Sequence, residues 1–390
     1  MIPYAKPSIS NQEIKSVVKV LKTPNIAQGK YINKFENKIS LITKSRFCLA
    51  VNSATSGLHL ACLALGLGKN DILWTTSNTF VATSNCALLC GAKVDFIDID
   101  LETFNFSIDI LEKKLKKTKK KFLPKVIINV HLGGNPSNQK KLYKLSKVYN
   151  FKIIEDASHS IGSKIENNPI GSCKWSDITI FSFHAVKIIT TCEGGAITTN
   201  NRSLAKKIEL LRSHGITKNV KEFISKSNYS YYYEQQLLGL NYRLNEVQAS
   251  IGLSQLRKLN FFVKKRNQIA KKYIKELKHL PIKFQKIEKN TTSSYHLFII
   301  LFDQMKKEFD NIYLSNELKR KNIFSCLHYM PVHLQPYYKK IGFKKNYLKN
   351  TEHYSKYALT LPIFTDLKNH EQDYIIKTIK KIFKKCLTKL

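Results

Sequence analysis

The sequence predicts an α/β fold: a mostly parallel central sheet covered by helices, followed by a smaller C-terminal α+β domain. Three observations predict it. Apolar segments of strand length alternate with helical patterns over roughly the first 200 residues. Small and polar residues gather where those strands end, the side on which open α/β sheets hold ligands. From about residue 245 the alternation gives way to one long helical stretch and a proline-containing loop. A division into residues 1–250 and 251–390 follows.

The elements read in order. Ile14, Val17, Val18 and Leu21 recur at helical spacing over 11–22. Residues 23–31 form a loop. A second helix places Phe35, Ile39 and Ile42 on one face. Residues 47–51 make a short strand, "NSATSG" a turn of small residues, and Leu58 to Leu65 a buried helix. Such a strand, turn and helix N-terminus offers free backbone N–H groups and a helix dipole to an anion. It is not a Walker A sequence, because the Gly-Lys-Ser/Thr ending is missing. Strands follow at 71–77, 93–100, 125–134, 152–160, 177–184 and 195–200. Helices lie at 80–91, after Ser107 as N-cap, and at 139–150. Asp156, His159, Ser182, His184 and Lys187 fall at or just past strand ends. Beyond 245 come the long helical stretch with a glycine in it, a strand at 295–302, a helix at 313–323, a loop at 328–343 and a last helix at 367–386.

Composition narrows the function classes. The chain has 390 residues, 43% of them hydrophobic and 24% charged, as in an ordinary soluble globular protein. No apolar run is long enough for a membrane span, and "MIPYAKPSIS" has no signal-peptide pattern. Eight cysteines lie scattered without a CxxC pair, which fits reduced thiols and a cytoplasmic location. Cys86 and Cys90 are spaced to share a helix face, but no partner pair lies nearby, so no metal site is predicted. The net charge of +37 raises the question of nucleic acid. The basic residues are spread along the chain, and only 113–121, "KKLKKTKKK", is dense. That run reads as a solvated helix end, and no nucleic-acid partner is predicted. A positive field would still favour an anionic small substrate.

One stretch carries the chemistry. "FSFHAVKIITTCEGGAITTN" holds a single lysine, Lys187, among apolar and small residues. A lysine amine in a dry setting loses its charge more easily and can form a Schiff base with a carbonyl. The carbonyl cofactor pyridoxal 5′-phosphate (PLP) uses such a lysine and makes three further demands. Asp156 could pair with its pyridine nitrogen. Thr55, Ser56 and Ser182 could serve its phosphate, and Phe80 could stack on its ring. Taken singly, Lys187 reads as a loop lysine, Asp156 as a turn residue and His159 as a core histidine. Their order at the strand ends of one sheet favours the cofactor reading.

Several motifs together resemble the DegT/DnrJ/EryC1/StrS sugar aminotransferases. They are "NSATSGLHLACLALGLG", "TFVATSNCALLCGAKVDFIDID", "EDASHSIGS", "SDITIFSFHAVKIITTCEGGAITTN", "LRSHGI", "YYYEQQLLGLNYRLNEVQASIGLSQL" and "HYMPVHLQPYY". The resemblance covers nearly the whole chain. It implies the PLP-dependent transferase fold type I, as in aspartate aminotransferase. It makes Lys187 the Schiff-base lysine, Asp156 the pyridine partner and His159 a contact of the ring. Ala54, Thr55, Ser56 and Ser182 would hold the phosphate, and Phe80 would stack. Asn241 would reach the phosphate from the partner subunit of a homodimer. Tyr4, Pro24, Asn25, Ile26, Ala27, His184, Arg243, His328, Tyr329, Met330 and Pro331 would contact substrate. "DASHSIGS", "KIITTCEGGA" and "YYEQQ" most resemble the pseudaminic-acid branch. That branch implies L-glutamate as amino donor and a UDP-linked 4-keto sugar as acceptor. Asn135, Ser137 and Leu240 depart from the common pattern, which leaves fine substrate choice open. A bacillosamine- or perosamine-type transaminase is the alternative within the family. A non-catalytic PLP binder is the alternative outside it, against which both Lys187 and Asp156 are present.

Overall fold

The computed structural model describes residues 1–225, 227, 229–303 and 308–387. Its centre is a seven-stranded sheet. The strands are β1 (Phe47–Val51), β2 (Ile72–Thr76), β3 (Lys93–Ile97), β4 (Val126–Val130), β5 (Lys152–Asp156), β6 (Ile178–Ser182) and β7 (Gly195–Thr199). Their spatial order is β1-β7-β6-β5-β4-β2-β3. The β3-β2-β4-β5-β6 run is parallel, and β7 pairs antiparallel with both β6 and β1. β4 and β6 are buried along their whole length, because helices cover both faces of the sheet.

The first helix differs from its sequence reading. α1 (Asn11–Leu21) starts at a Ser10 capping box closed by Glu13. Ile14, Val18 and Leu21 face solvent at 55%, 44% and 59% exposure, while Glu13 and Val20 are buried. Ser254 Oγ donates to Glu13 Oε1 at 2.6 Å, and Lys258 Nζ lies 2.7 Å from the same oxygen. Periodicity identifies an apolar stripe, not the surface it meets. Here a polar anchor decides which side docks.

Next come α2 (Lys30–Thr43), α3 (Ala54–Ala64), α4 (Ala82–Leu89), α5 (Ile108–Lys117), α6 (Gln139–Tyr149) and α7 (Arg202–Leu211). α3 begins at Ala54, four residues before the predicted start, so "ATSG" is its first turn. Ser53 caps it by accepting from the Ser56 N–H at 3.1 Å. α7 matches no element predicted from the sequence. The predicted strand 125–134 stops at Val130 and the predicted strand 152–160 stops at Asp156. Beyond β5, Ser158 and His159 turn to line the site.

The long helical stretch after 245 is two helices, α8 (Glu246–Arg257) and α9 (Leu259–Leu277). Lys258, at φ −99° and ψ 0°, breaks the run between them. α8 packs against α1 and α2, whereas α9 belongs to the C-terminal core. That core surrounds a small sheet of β8 (Ile282–Phe284), β9 (Phe298–Phe302) and β10 (Ala358–Leu361), with β9 central and both pairs antiparallel. α10 (Asn311–Lys319), α12 (Lys349–Tyr357) and α13 (Asn369–Leu387) cover it. The predicted loop 328–343 contains the short helix α11 (Pro336–Lys340), which begins with proline.

Candidate active site

The site lies outside the carboxyl ends of the parallel strands. One cavity of about 460 Å³ opens there. Its lining comes from the helix entries after β1 and β2, the ends of β4, β5 and β6, and two segments that lead into and follow β9.

Lys187 sits in the loop that joins β6 to β7. The Lys187 N–H donates to the His184 carbonyl at 3.0 Å. The Phe183 N–H donates to Gly194, and the Thr191 N–H donates back to Phe183, at 2.8 and 2.9 Å. Ile188 and Ile189 are buried beneath the loop. These anchors hold the lysine stem while its amine faces the cavity. Lys187 is half-buried by area because the cavity is open to water, yet protein atoms crowd its amine. Burial pushes its pKa down to about 8, against the upward pull of the Asp156 carboxylate.

Asp156 ends β5 and is buried. Thr83 Oγ1, on α4, donates to its Oδ2 at 2.7 Å. The Ser158 hydroxyl and N–H donate to Oδ1 at 2.6 and 3.1 Å. Donors on both oxygens hold the carboxylate in one orientation facing the cavity.

His159 is buried beside it. The Gly133 N–H donates to its Nδ1 at 3.2 Å, so the ring proton resides on Nε2. That atom lies 3.1 Å from Tyr329 Oη. His296 packs on the other side, with ring centroids 4.5 Å apart. Burial first, then the Lys187 charge, pushes the pKa of both imidazoles well below the usual histidine range. The same two causes lower His328 to about 3. The walls around Lys187 are therefore three neutral imidazoles.

The α3 N-terminus supplies the anion-binding part. The amides of Ala54 and Thr55 precede the first intrahelical donor, the Gly57 N–H, and so have no carbonyl partner within the helix. Gly195 backs onto this turn. A Cβ there would stand 2.8 Å from Ala54 N and 2.9 Å from the Phe181 carbonyl oxygen. Only glycine lets β7 approach so closely. A buried amine, an oriented carboxylate and a free helix start fit PLP by their chemistry.

The structure brings Tyr4, Ala54, Thr55, Phe80, Asp156, His159, Ser182, His184, Lys187, His328 and Tyr329 to the cavity. Ser56 is turned inward and buried, with its hydroxyl 2.9 Å from Ser53 Oγ. Pro24, Asn25, Ile26 and Ala27 lie exposed away from this chain's cavity lining. Asn241 is exposed outside it, and Arg243 Nη1 bonds Ser213 Oγ at 3.1 Å. Met330 is 56% exposed, and Pro331 is buried behind the wall. Residues not singled out from the sequence also belong to the lining. Thr83 had a signal, since it follows Phe80 by three positions in the helix predicted over 80–91. Glu193, 3.7 Å from His184 Nε2, sits beside the glycine pair. His296 had no local signal, because it comes from the C-terminal part of the chain.

The family model for DegT/DnrJ/EryC1/StrS aminotransferases matches residues 7–380, and the chain belongs to that family. It is a PLP-dependent aminotransferase of fold type I. The UDP-4-amino-4,6-dideoxy-N-acetyl-beta-L-altrosamine transaminase of Campylobacter jejuni (serotype O:23/36) is 36% identical over 389 residues, covering 99% of this chain and 98% of that protein. Among solved structures, Helicobacter pylori PseC, described as an aminotransferase involved in the biosynthesis of pseudoaminic acid, superposes with a TM-score of 0.88. It is 29% identical and covers 98% of this chain and 99% of its own. The PLP form of the sugar aminotransferase Spr1654 of Streptococcus pneumoniae, titled putative, superposes with a TM-score of 0.88 at 28% identity, covering 99% of both chains.

Proposed function

We propose that the protein transfers an amino group from L-glutamate to C4 of a UDP-linked 4-keto-6-deoxy-N-acetylhexosamine. The product would be UDP-4-amino-4,6-dideoxy-N-acetyl-β-L-altrosamine, a precursor of pseudaminic acid. The observation that carries this reading is the convergence of Lys187, Asp156, His159 and the α3 N-terminus on one cavity. Likeness to the Campylobacter and Helicobacter enzymes supports the sugar.

PLP bound here supplies an electron sink for the carbon that loses its proton. The protein's residues do the rest. The Lys187 amine, once free, takes a proton from the donor Cα and returns one to the acceptor C4. The Asp156 carboxylate would keep a proton on the ring nitrogen, and Thr83 and Ser158 keep that carboxylate aimed. His159, held neutral by burial, would contact the ring. The α3 amides with Thr55 and Ser182 would hold the phosphate, and Phe80 would stack on the ring. The net charge of +37 draws in the two phosphates of UDP. Tyr4, His184, His328 and Tyr329 stand where sugar would lie. Pro24 to Ala27, Asn241, Arg243 and Met330 reach a neighbour's cavity in a cytoplasmic homodimer.

The test is an absorption spectrum of the PLP-loaded protein before and after L-glutamate, followed by NMR of the sugar product. Loss of the visible band with glutamate and an altro-configured 4-amine are expected. No spectral change would sink the transaminase reading. A gluco-configured 4-amine would replace the sugar assignment with the bacillosamine type.

A further inference from the structure

The loop that carries His328 and Tyr329 into the cavity is held from behind by residues outside the cavity lining. Ser77 follows β2, and its carbonyl accepts from the Val332 N–H at 2.9 Å. Its Oγ accepts from the His333 N–H at 3.0 Å and lies 2.7 Å from His333 Nδ1. Asn78 Oδ1 accepts from the Tyr329 N–H at 3.0 Å. Across the ring, His333 Nε2 lies 3.1 Å from Glu352 Oε1 on α12. The start of α12 is tied to the large sheet in its turn. Asp98, just past β3, accepts from the Asn350 and Thr351 N–H groups at 2.9 and 2.8 Å and from the Thr351 hydroxyl at 2.6 Å.

These bonds admit one arrangement of protons. An ionised carboxylate only accepts, so the proton of the His333 ring sits on Nε2. Nδ1 is then an acceptor, and the Ser77 hydroxyl donates to it while taking the His333 N–H. Both residues are fully buried, and burial holds the His333 pKa down against the pull of Glu352. Serine, histidine and carboxylate in a row also describe a hydrolase triad. Ser77 has no exposed surface and stands outside the cavity lining, so it reaches no substrate. What the row does is fix a distance. It ties the end of β2 to α12 through the residue that closes the loop. At the loop's other end Tyr329 Oη meets His159 Nε2 at 3.1 Å, and the Tyr354 hydroxyl donates to the His328 carbonyl at 2.8 Å.

On the reading that places His159 and Tyr329 beside the cofactor, we propose that His333 is a positioning residue for amino transfer. Ser77 and Glu352 hold its ring from opposite sides, and the ring holds the loop where Tyr329 meets His159. Tyr329 Oη accepts the proton that His159 carries on Nε2, which leaves the phenol's own proton for a ligand in the cavity. Loss of either hold lets the loop drift. A drift of about 1 Å at a reacting site costs up to roughly a hundred-fold in rate. His333 acts only through Tyr329 and touches neither cofactor nor substrate, because it stands outside the cavity lining.

The experiment uses the full-length, PLP-loaded protein and follows loss of its visible band in a single turnover with saturating L-glutamate. Ser77→Ala, His333→Leu and Tyr329→Phe should each slow that step about ten-fold. Tyr329→Phe combined with His333→Leu should be no slower than Tyr329→Phe alone, since both changes remove one contact. His333→Asn, whose Oδ1 can still take the Ser77 proton, should recover to within about three-fold of wild type. A double variant slowed about a hundred-fold, or His333→Asn as slow as His333→Leu, would overturn the proposal. Urea midpoints separate loss of folding from loss of position, with Ser77→Ala the milder change. Crystal structures of Ser77→Ala and His333→Leu need no substrate. Tyr329 Oη beyond hydrogen-bond distance of His159 Nε2 is expected, and an unmoved contact in both would overturn the proposal. A wild-type band that L-glutamate leaves unchanged would fail the donor assignment alone, and the crystal structures would still decide the role of His333.

Discussion

At the scale of single residues, the environment of Lys187 makes a prediction about pH. In the cofactor-free protein, burial lowers this amine to about 8 from its ordinary 10.5. The unfolded chain then holds the proton more tightly, so the charged amine costs native stability below pH 8. The cost fades as pH rises from 8 towards 10.5. Lys187→Met should therefore stabilise the cofactor-free protein at pH 7 by about 1 kcal/mol, a figure reduced because the cavity admits water. Thermal unfolding at pH 7 and pH 10 checks this, with the gain expected to vanish at the higher pH. The same variant should lose the visible absorption band and all turnover. Thr83 makes a second prediction. Its hydroxyl is a neutral donor to a carboxylate, worth about 1.5–3 kcal/mol. Thr83→Val should weaken PLP binding at least ~10-fold while far-ultraviolet circular dichroism stays unchanged. Unaltered affinity in a cofactor titration would remove Thr83 from the site's design.

At the scale of elements, close backbone approach and one buried cation hold the site's pieces together. β7 touches the first turn of α3 only because residue 195 has no side chain. In Gly195→Ala the new methyl meets backbone atoms that cannot rotate away. A loss of about 2–3 kcal/mol is expected from such overpacking, measured by urea unfolding. PLP affinity should fall with it, since the displaced turn carries the Ala54 and Thr55 amides. Arg266 on α9 is the second case. It is 2% exposed, and its Nη1 donates to the carbonyls of Tyr295, His296 and Ile363 at 3.3, 3.1 and 3.0 Å. Burial lowers it only to about 10, so it stays charged near neutrality. It pins the segment that brings His296 against His159. Arg266→Leu leaves those carbonyls without a donor and should cost about 2–4 kcal/mol. Arg266→Lys should recover part of this, and urea midpoints for the two variants should rank in that order.

At the scale of the whole molecule, the predicted contacts missing from one chain's cavity bear on the proposed homodimer. Asn241, Arg243 and Pro24 to Ala27 lie outside this chain's lining. If Asn241 completes the site of a second copy, two inactive variants should rescue each other. A heterodimer of Lys187→Ala with Asn241→Ala contains one site with both native residues. Mixing, unfolding and refolding the two should restore about a quarter of wild-type turnover, because half the dimers carry one good site of two. No recovery, with mixed dimers demonstrated by a tag, would sink the shared site.

The order of strands and helices as far as β7 was legible in the sequence, because period-2 and period-3.6 patterns are local properties of the chain. So was the gathering of Lys187, Asp156 and the "NSATSG" turn where strands of one sheet end. The direction in which α1 faces was not legible, since Glu13 finds Ser254 and Lys258 more than 240 positions away. Nor was the break at Lys258, which lies inside an unbroken helical pattern. His296 entered the site only through packing of distant elements. A sequence records what each segment can do. Which segments meet is decided by the sum of burial, hydrogen bonding and close approach over the folded chain, and that sum built the neutral wall around Lys187.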